Sequence, residues 1–388
     1  MKKTSFLSKQ ADSLQPSGIR RFFDLAAQME DVISLGVGEP DFVTPWSFIE
    51  HSFHALEQGY TSYTENAGML DLREEISNYL LGSFGVNYDA EKEIIVTVGA
   101  SQAIDLALRA TVNPGEEVLV VEPGFVAYVP TVSLAGGTPV TIQTRPEDDF
   151  KLTPELLEAA ITPRTKAIIL CNPNNPTGAA LTRNELEKVA GVVEKHDLLV
   201  LSDEIYAELT YEDVHTSFPA IENMKERTVL ISGFSKAFAM TGWRLGYATG
   251  PEEIIQTMVK IHQFTMMCAP TIAQHAALEA MKNGKSSVDY MIKSYKQRRN
   301  FIVSSLNEMG LSCPNPGGAF YAFPSIRETG LSSADFAEEL LQEEQVAVVP
   351  GNVFGESGEG FVRCSYATSL KQLDEAMRRI KRFVDRRI

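Results

Sequence analysis

The chain has 388 residues, of which 44% are hydrophobic and 22% charged, and its 51 acidic and 35 basic side chains give a formal net charge of −16. This composition excludes a disordered chain, a collagen-like repeat and a small disulfide scaffold. The acidic excess opposes binding to nucleic acid or to anionic membrane lipid, so we expect neither as a partner.

Six short runs rich in β-branched residues alternate with helical patterns through the middle of the chain. The runs are residues 93–98, 117–122, 139–144, 166–171, 198–202 and 228–232, with helical periodicity at residues 101–110 and 183–196. Strands that alternate with helices predict a mainly parallel sheet with helices on both faces. Because a single core rarely exceeds about 250 to 300 residues, we also expect a second, smaller domain.

The C-terminal part of the chain has a different pattern. Long helical stretches at residues 286–310 and 333–344 surround two short apolar runs, residues 319–325 and 346–350. The closing segment spaces Leu373, Met377, Ile380 and Val384 along one helical face. This pattern predicts a smaller α+β domain, formed by residues 1–44 and 286–388, beside a large domain of residues 45–285.

The cysteines and the N-terminus indicate the compartment. Cys171, Cys268, Cys313 and Cys364 are widely spaced and form no CxxC pair, which argues against a zinc site and against a disulfide framework. We therefore expect no bound metal. The first residues lack the apolar run of a secretory signal, and no stretch is typical of a membrane span. We expect a cytoplasmic protein.

Four loops that follow predicted strands carry candidate functional groups. They are residues 99–102 (GASQ), 172–178 (NPNNPTG), 203–206 (DEIY) and 233–236 (GFSK). Because the carboxyl ends of parallel strands share one edge of a sheet, these loops should converge. The helix that begins at Ser101 offers free N–H groups to a phosphate. Lys236 lies in a small, apolar segment, which lowers the pKa of an amine and makes it a nucleophile.

Five segments of the chain together resemble one enzyme family, the class I and II aminotransferases of fold type I, which use pyridoxal 5′-phosphate. The segments are GVGEPDF, NPNNPTG, SDEIYAEL, FSKAFAMTGWRLGY and FVRCSYATS, in the family's order and spacing. The resemblance extends from residue 17 to the C-terminus. It implies a mainly parallel seven-stranded sheet with helices on both faces, a smaller α+β domain, and ping-pong transfer of an amino group between amino acids and 2-oxo acids.

The resemblance assigns three catalytic residues. Lys236 would form the aldimine with the cofactor and then move the proton at the substrate α-carbon. Asp203 would pair with the pyridine nitrogen and keep it protonated, so that the ring withdraws electrons. Tyr206, together with Asn175, would donate hydrogen bonds to the 3′-oxygen of the ring.

The resemblance also assigns the binding residues. Phe125 would stack on the ring, and Arg363 would bind the substrate α-carboxylate in a two-pronged contact, with Gly38 and Asn175 close by. The phosphate would be held by Ala100, Ser101, Gln102, Ser235 and Arg244. Tyr63 would reach the phosphate of the neighbouring subunit, which implies a homodimer with shared active sites.

The substrate is less narrowly defined. Family members that prefer dicarboxylates carry a second cation in one of two regions. In this chain these regions are residues 263–270 (QFTMMCAP) and Ser101, and neither has a lysine or an arginine. Arg20 is the remaining nearby cation. Candidates for an apolar or aromatic pocket are Tyr128, Phe264, Met266 and Met267. We expect aromatic or broad specificity with 2-oxoglutarate as acceptor; an aspartate or N-acetyl-diaminopimelate aminotransferase is the alternative.

Other enzyme classes also have to be weighed. A carbon–sulfur β-lyase of the same fold is the nearest alternative. A serine hydrolase is a remote one, because GASQA resembles the GxSxG pattern and is followed by Asp203 and by His262 or His275. That assignment leaves Lys236 without a role. A dehydrogenase is weaker still, since GVGEPD lacks the third glycine of a dinucleotide loop. A DNA-binding regulator would need an extra N-terminal domain, and only about 35 residues precede GVGEPDF.

Overall fold

The computed structural model describes residues 6–14, 18 and 29–388. Arg20, the candidate cation for a distal carboxylate, lies outside the described residues.

A seven-stranded sheet forms the centre of the structure. Its strands are β2 (Ile94–Thr97), β3 (Glu117–Glu122), β4 (Thr138–Gln143), β5 (Thr165–Cys171), β6 (Leu199–Asp203), β7 (Thr228–Gly233) and β8 (Gly246–Thr249). Their spatial order is β2-β8-β7-β6-β5-β3-β4. Strand β8 runs antiparallel to both neighbours, and the other pairs are parallel. The predicted mainly parallel sheet is confirmed, and the ends of the six predicted runs agree with the observed strands to within one residue.

The seventh strand, β8, was not located from the sequence because it is short and begins with glycine. A Cβ at Gly246 would come within 2.6 Å of the Ala100 main-chain nitrogen. Glycine is required at this position so that β8 can lie against the loop between β2 and the following helix.

Helices cover both faces of the sheet. They are α2 (Trp46–Glu57), α3 (Leu70–Phe84), α4 (Ala100–Thr111), α5 (Tyr128–Leu134), α6 (Pro154–Ala160), α7 (Arg183–Lys195), α8 (Glu252–Thr265) and α9 (Thr271–Asn283), which follow a short α1 (Lys9–Ser13). Alternate strand residues face opposite sides. Val118 and Val120 of β3 belong to the core with α4, α5 and α8. Leu119 and Val121 belong to the core with α6 and α7.

The remaining helices and strands of the described residues form two small sheets and three helices. The elements are β1 (Ile33–Ser34), α10 (Lys285–Glu308), β9 (Tyr321–Ala322), α11 (Ser333–Glu344), β10 (Val346–Ala347), β11 (Val349–Pro350), β12 (Val362–Ser365) and α12 (Leu370–Val384). Strand β1 pairs in parallel with β10, and β12 lies between β11 and β9. The β1–β10 pair links the two ends of the chain, which supports our proposal that residues 1–44 and 286–388 form one domain beside residues 45–285.

Helix α12 buries the face that its periodicity predicts, with Leu373, Met377, Ile380 and Val384 all in the core. The four cysteines are unpaired. Across the described ranges, no helix has the length and apolar character needed to cross a membrane.

Candidate active site

A cleft of about 620 Å³ lies at the carboxyl edge of the parallel strands. The four loops predicted to converge all contribute to it. The predicted site residues that line it are Gly38, Ala100, Ser101, Phe125, Asn175, Asp203, Tyr206, Ser235, Lys236, Arg244 and Arg363. The parallel strands bring the residues of the four loops together because these strands end at the same edge of the sheet. Gly38 and Arg363 reach the cleft from outside that sheet.

Lys236 follows β7 and directs its amine into the cleft. Its Nζ donates a hydrogen bond to the Gly38 carbonyl oxygen at 2.6 Å and lies 5.9 Å from the centre of the Phe320 ring. Burial disfavours the charged ammonium and lowers the pKa of Lys236 to about 8. A substantial fraction of this amine is therefore neutral and nucleophilic at mildly alkaline pH.

Asp203 ends β6 as a buried carboxylate. Its Oδ2 accepts a hydrogen bond from the Tyr128 hydroxyl at 2.6 Å, and its Oδ1 accepts one from the Ile205 N–H at 3.2 Å. Burial raises the pKa of Asp203 to about 6, while the Tyr128 bond and the Lys236 charge act in the opposite direction. Above that pH the cleft contains a buried negative charge that a ligand cation can neutralise.

The corner around the start of α4 is suited to a phosphate. Helix α4 begins after Gly99, whose φ of 78° is favourable for glycine alone, and no side chain caps its first turn. A Cβ at Gly99 would lie 2.6 Å from Nη2 of Arg244. Ser235 and Arg244 line the same cleft. Helix N–H groups, a hydroxyl and a guanidinium thus line one cleft, a combination suited to a dianion.

Of the predicted binding residues that the structure describes, Gln102 and Tyr63 do not line the cleft. The Gln102 side chain closes the turn instead, because its Oε1 accepts a hydrogen bond from the Val98 N–H at 2.7 Å. Tyr63 is 79% exposed.

Arg363 of β12 is a buried cation with neutral partners. Its Nη1 donates to Oδ1 of Asn175 at 2.9 Å and its Nη2 donates to the Gly36 carbonyl at 2.7 Å. The guanidinium carbon lies 4.5 Å from the centre of the Tyr321 ring. The Arg363 Nε is buried and has no hydrogen-bond partner. A buried, incompletely satisfied guanidinium is a binding group for a carboxylate.

Two tyrosines of the cleft have roles that the sequence did not reveal. Tyr321 of β9 lies with its hydroxyl 2.9 Å from that of Tyr206, and a Cβ at Gly38 would come within 2.6 Å of the Tyr321 hydroxyl. Tyr128, expected to line an apolar pocket, binds Asp203 through its hydroxyl and contacts Phe125 edge to face at 5.5 Å. No local pattern identifies Tyr321, because β9 has only two residues.

The other proposed pocket residues lie elsewhere in this chain. Phe264 is 87% exposed, and Met266 and Met267 are also exposed; none of the three lines the cleft as described. His262 and His275, the candidate bases of a serine hydrolase, are likewise not among the residues that line it. The arrangement around Ser101 therefore lacks the base that hydrolase chemistry needs.

Comparison with known proteins identifies the family. A family model described as aminotransferase class I and II matches residues 30–380. The chain is 62% identical to a putative aminotransferase of Bacillus subtilis, YugH, over 98% of this chain and 99% of that one. It is 47% identical to an aspartate aminotransferase of Pyrococcus abyssi, over 97% of each chain.

A solved structure shows the same architecture. The aromatic aminotransferase of Pyrococcus horikoshii OT3 superposes with a TM-score of 0.90 at 46% identity, covering 95% of this chain and 99% of that chain. The similarity therefore extends over both the central sheet and the smaller sheets.

Proposed function

The chain belongs to the class I and II aminotransferases, and from this premise we propose that it uses pyridoxal 5′-phosphate to move an amino group from an aromatic or a broad range of L-amino acids to 2-oxoglutarate. The two half-reactions would alternate at one site in a ping-pong mechanism. The observation that carries the proposal is the presence of the Lys236 amine, the buried Asp203 carboxylate and the uncapped start of α4 in one cleft.

The residues of the cleft fit this cofactor. The phosphate would be held by the first turn of α4, Ser235 and Arg244, where the missing Cβ of Gly99 leaves room for close approach. Phe125 would stack on the ring. Asn175 and Tyr206 would orient its 3′-oxygen, each through a polar side chain that lines the cleft.

The chain's own residues would then divide the chemistry. Pyridoxal phosphate, when bound, supplies an electron sink for the electron pair left on the substrate α-carbon. Asp203 would hold a proton on the pyridine nitrogen, because a buried carboxylate favours a neighbouring cation. Lys236 would hold the cofactor covalently and would afterwards carry the proton at the substrate α-carbon on its Nζ.

Arg363 would bind the α-carboxylate of the substrate. Its unpartnered Nε and its stacked position on Tyr321 support this role, because a carboxylate oxygen would complete the hydrogen bonding of the guanidinium. Asn175 and Gly36 hold the other two nitrogens. Two-pronged binding would set the substrate orientation before proton transfer.

The lowered pKa of Lys236 gives a first prediction. The rate at which apoenzyme binds the cofactor covalently should rise as pH increases through about 8, because only the neutral amine reacts with an aldehyde and burial shifts the amine to that pKa. Stopped-flow absorbance between about pH 7 and about pH 9.5 measures the rate. Noncovalent binding by Lys236→Ala is the control and should lack this rise; a flat profile for the wild type would contradict the assignment.

A substrate panel is the decisive test of the proposed specificity. Phenylalanine and tyrosine should react with a kcat/KM at least roughly tenfold above that of aspartate, because a distal carboxylate would lie unpaired in the cleft. The basic side chains among the described cleft residues are Lys236, Arg244 and Arg363, and this proposal already assigns each of them to the cofactor or to the α-carboxylate. Single half-reactions, followed by absorbance without a 2-oxo acid, give the comparison.

The variant Ser101→Lys sharpens this panel, since it places a cation where the chain has a hydroxyl. This variant should have a higher kcat/KM for aspartate than the wild type, and no higher kcat/KM for phenylalanine. If aspartate is much the better substrate of the wild type, the enzyme is of the aspartate type; if N-acetyl-diaminopimelate is, it is of that type. Release of ammonia and pyruvate from cystathionine without a 2-oxo acid would identify a β-lyase instead.

We also propose a homodimer with shared active sites. Tyr63, Phe264 and Met267 are exposed and lie on two segments that are held together, since Asn66 Nδ2 donates to the Met267 carbonyl at 2.8 Å. A second copy that covered this surface would place Tyr63 of each subunit at the cleft of the other subunit. Light scattering should give twice the chain mass, and a fully active monomer would refute the sharing of sites.

A further inference from the structure

Glu204 is a buried carboxylate that does not line the cleft as described. It follows Asp203 directly, and only 2% of it is exposed. Its Oε1 accepts hydrogen bonds from the Ser202 hydroxyl and the Phe218 N–H, both at 2.9 Å, and its Oε2 lies 2.8 Å from Nε2 of His215. The carboxylate therefore joins the end of β6 to the loop at residues 215–218.

His215 is buried as fully as its partner. Its ring contacts Phe84 edge to face at 5.4 Å, and the side chain is 3% exposed. A carboxylate removed from water is destabilised unless hydrogen bonds or an opposite charge compensate. Here the Ser202 hydroxyl, the Phe218 N–H and His215 surround the Glu204 carboxylate, which is adjacent to Asp203 in the chain.

The main chain of Glu204 is held as firmly as its side chain. Its N–H donates to the Ile231 carbonyl at 2.8 Å, and its carbonyl accepts from the Ala207 N–H at 3.0 Å. Asp203 precedes this anchored residue and Tyr206 follows it two positions later. Both cleft residues therefore lie on a segment that Glu204 anchors through main-chain and side-chain hydrogen bonds.

Glu204 also acts on Asp203 electrostatically. After burial, its negative charge is among the contributions that raise the pKa of Asp203. The titratable groups that interact with Glu204 or with Asp203 from neighbouring elements are Tyr88, Tyr128, Cys171, Glu208, His215, Lys236 and Tyr247. A negative charge at this depth favours protonated groups in the cleft, because little water screens it.

We propose that Glu204 and His215 form a buried positioning pair for the reaction, which holds the segment carrying Asp203 and Tyr206 in place and supplies a negative charge behind Asp203. The inference rests on the proposed function, since it concerns the groups that would act on the bound cofactor. Neither residue touches substrate or cofactor, so both act through Asp203 and Tyr206.

The test compares Glu204→Gln and His215→Asn with a matched control, Glu158→Gln. Glu158 Oε1 also lies 2.8 Å from Nε2 of a histidine, His196, but at the surface. The purified holoenzymes are titrated by absorbance of the bound cofactor, assayed for kcat and KM, and melted. Glutamine keeps the shape of Glu204 and the two hydrogen bonds that its Oε1 accepts. It removes the charge and turns the group that faces His215 Nε2 into a donor.

Glu204→Gln should move the midpoint of the absorbance titration to lower pH by roughly half a unit, because a charge that favours protonated groups is lost. Glu204→Gln and His215→Asn should each lower kcat by roughly tenfold with little change in KM, since displaced catalytic groups slow the chemical step. His215→Asn leaves the Glu204 charge and should not lower the midpoint. Glu158→Gln should change none of these values.

The proposal is overturned if Glu204→Gln matches Glu158→Gln in both midpoint and kcat. If Glu204→Gln does not fold, His215→Asn decides, and an unchanged kcat in that variant overturns the proposal. The wild-type protein is tested first for cofactor binding and for amino-group transfer, and it could show neither. That outcome would refute the proposed function itself, and is thereby distinguishable from failure of the positioning pair.

Discussion

Replacing Lys236 by alanine is expected to lower kcat by roughly 10⁴-fold while the protein still binds pyridoxal phosphate noncovalently. Lys236 carries the one amine among the described cleft-lining residues, with its Nζ 2.6 Å from the Gly38 carbonyl. Without it nothing in the cleft can both hold the cofactor covalently and carry the proton at the α-carbon. Single-turnover absorbance with phenylalanine and dialysis of the bound cofactor measure the two effects.

A surface lysine provides the control for this variant. Lys195 pairs with Glu158 at 2.6 Å and is largely exposed, so Lys195→Ala should retain full activity. Added methylamine tests the chemistry further, since a small amine that enters the space left by Lys236 should restore part of the rate. If Lys236→Ala turned over at the wild-type rate, the assignment of Lys236 as the residue that holds the cofactor and carries the proton would be wrong.

The second large effect is expected for Asp203→Asn, which should lower kcat by roughly 10²- to 10⁴-fold. Removing one partner of a buried ion pair costs about 3 to 5 kcal/mol. Here the pair would be that of Asp203 with the pyridine nitrogen, and its loss would raise the barrier of the step that places charge on the cofactor ring. The asparagine can still accept the Tyr128 hydrogen bond now made by the carboxylate. The effect should therefore come from charge rather than from collapse of the cleft, and single-turnover kinetics measure it.

Glu117 supplies a matched control for Asp203. It is also a buried carboxylate of the central sheet, at the start of β3, where it pairs with Arg164 and accepts the Thr162 hydroxyl. Glu117→Gln should lower the melting temperature and leave kcat of the folded enzyme unchanged. Normal kcat in a cofactor-loaded Asp203→Asn enzyme would show that this carboxylate does not keep the ring nitrogen protonated.

Much of the fold could be predicted from local pattern. The β-branched runs indicated six of the seven strands, and the helical spacing of Leu373 and Ile380 indicated the buried face of α12. Local pattern carries this information because the period of burial is a property of a few consecutive residues. Strand β8 was not located, because a four-residue strand that begins with glycine has no distinguishable period.

The motifs likewise indicated which loops carry the chemistry, since each follows directly on a strand and parallel strands end at one edge. Lys236 and Asp203 were named on that basis and through the family resemblance, and Arg363 through the resemblance alone. Their roles stay predictions until the variants above are measured. The likeness of the whole chain to aminotransferases supports them, as does the single cleft that they line.

The composition, the periodicities and the motif loops of the sequence determined the fold class, the family and the residues that meet at the sheet edge. Only the tertiary structure decided how those residues are supported. Tyr128 reaches Asp203 across 75 positions of the chain, and Tyr321 reaches Tyr206 across 115. The burial that shifts the pKa of Lys236 and of Asp203 arises in the same way. Contacts between residues so far apart depend on how the elements pack, and no local spacing of residues encodes that packing.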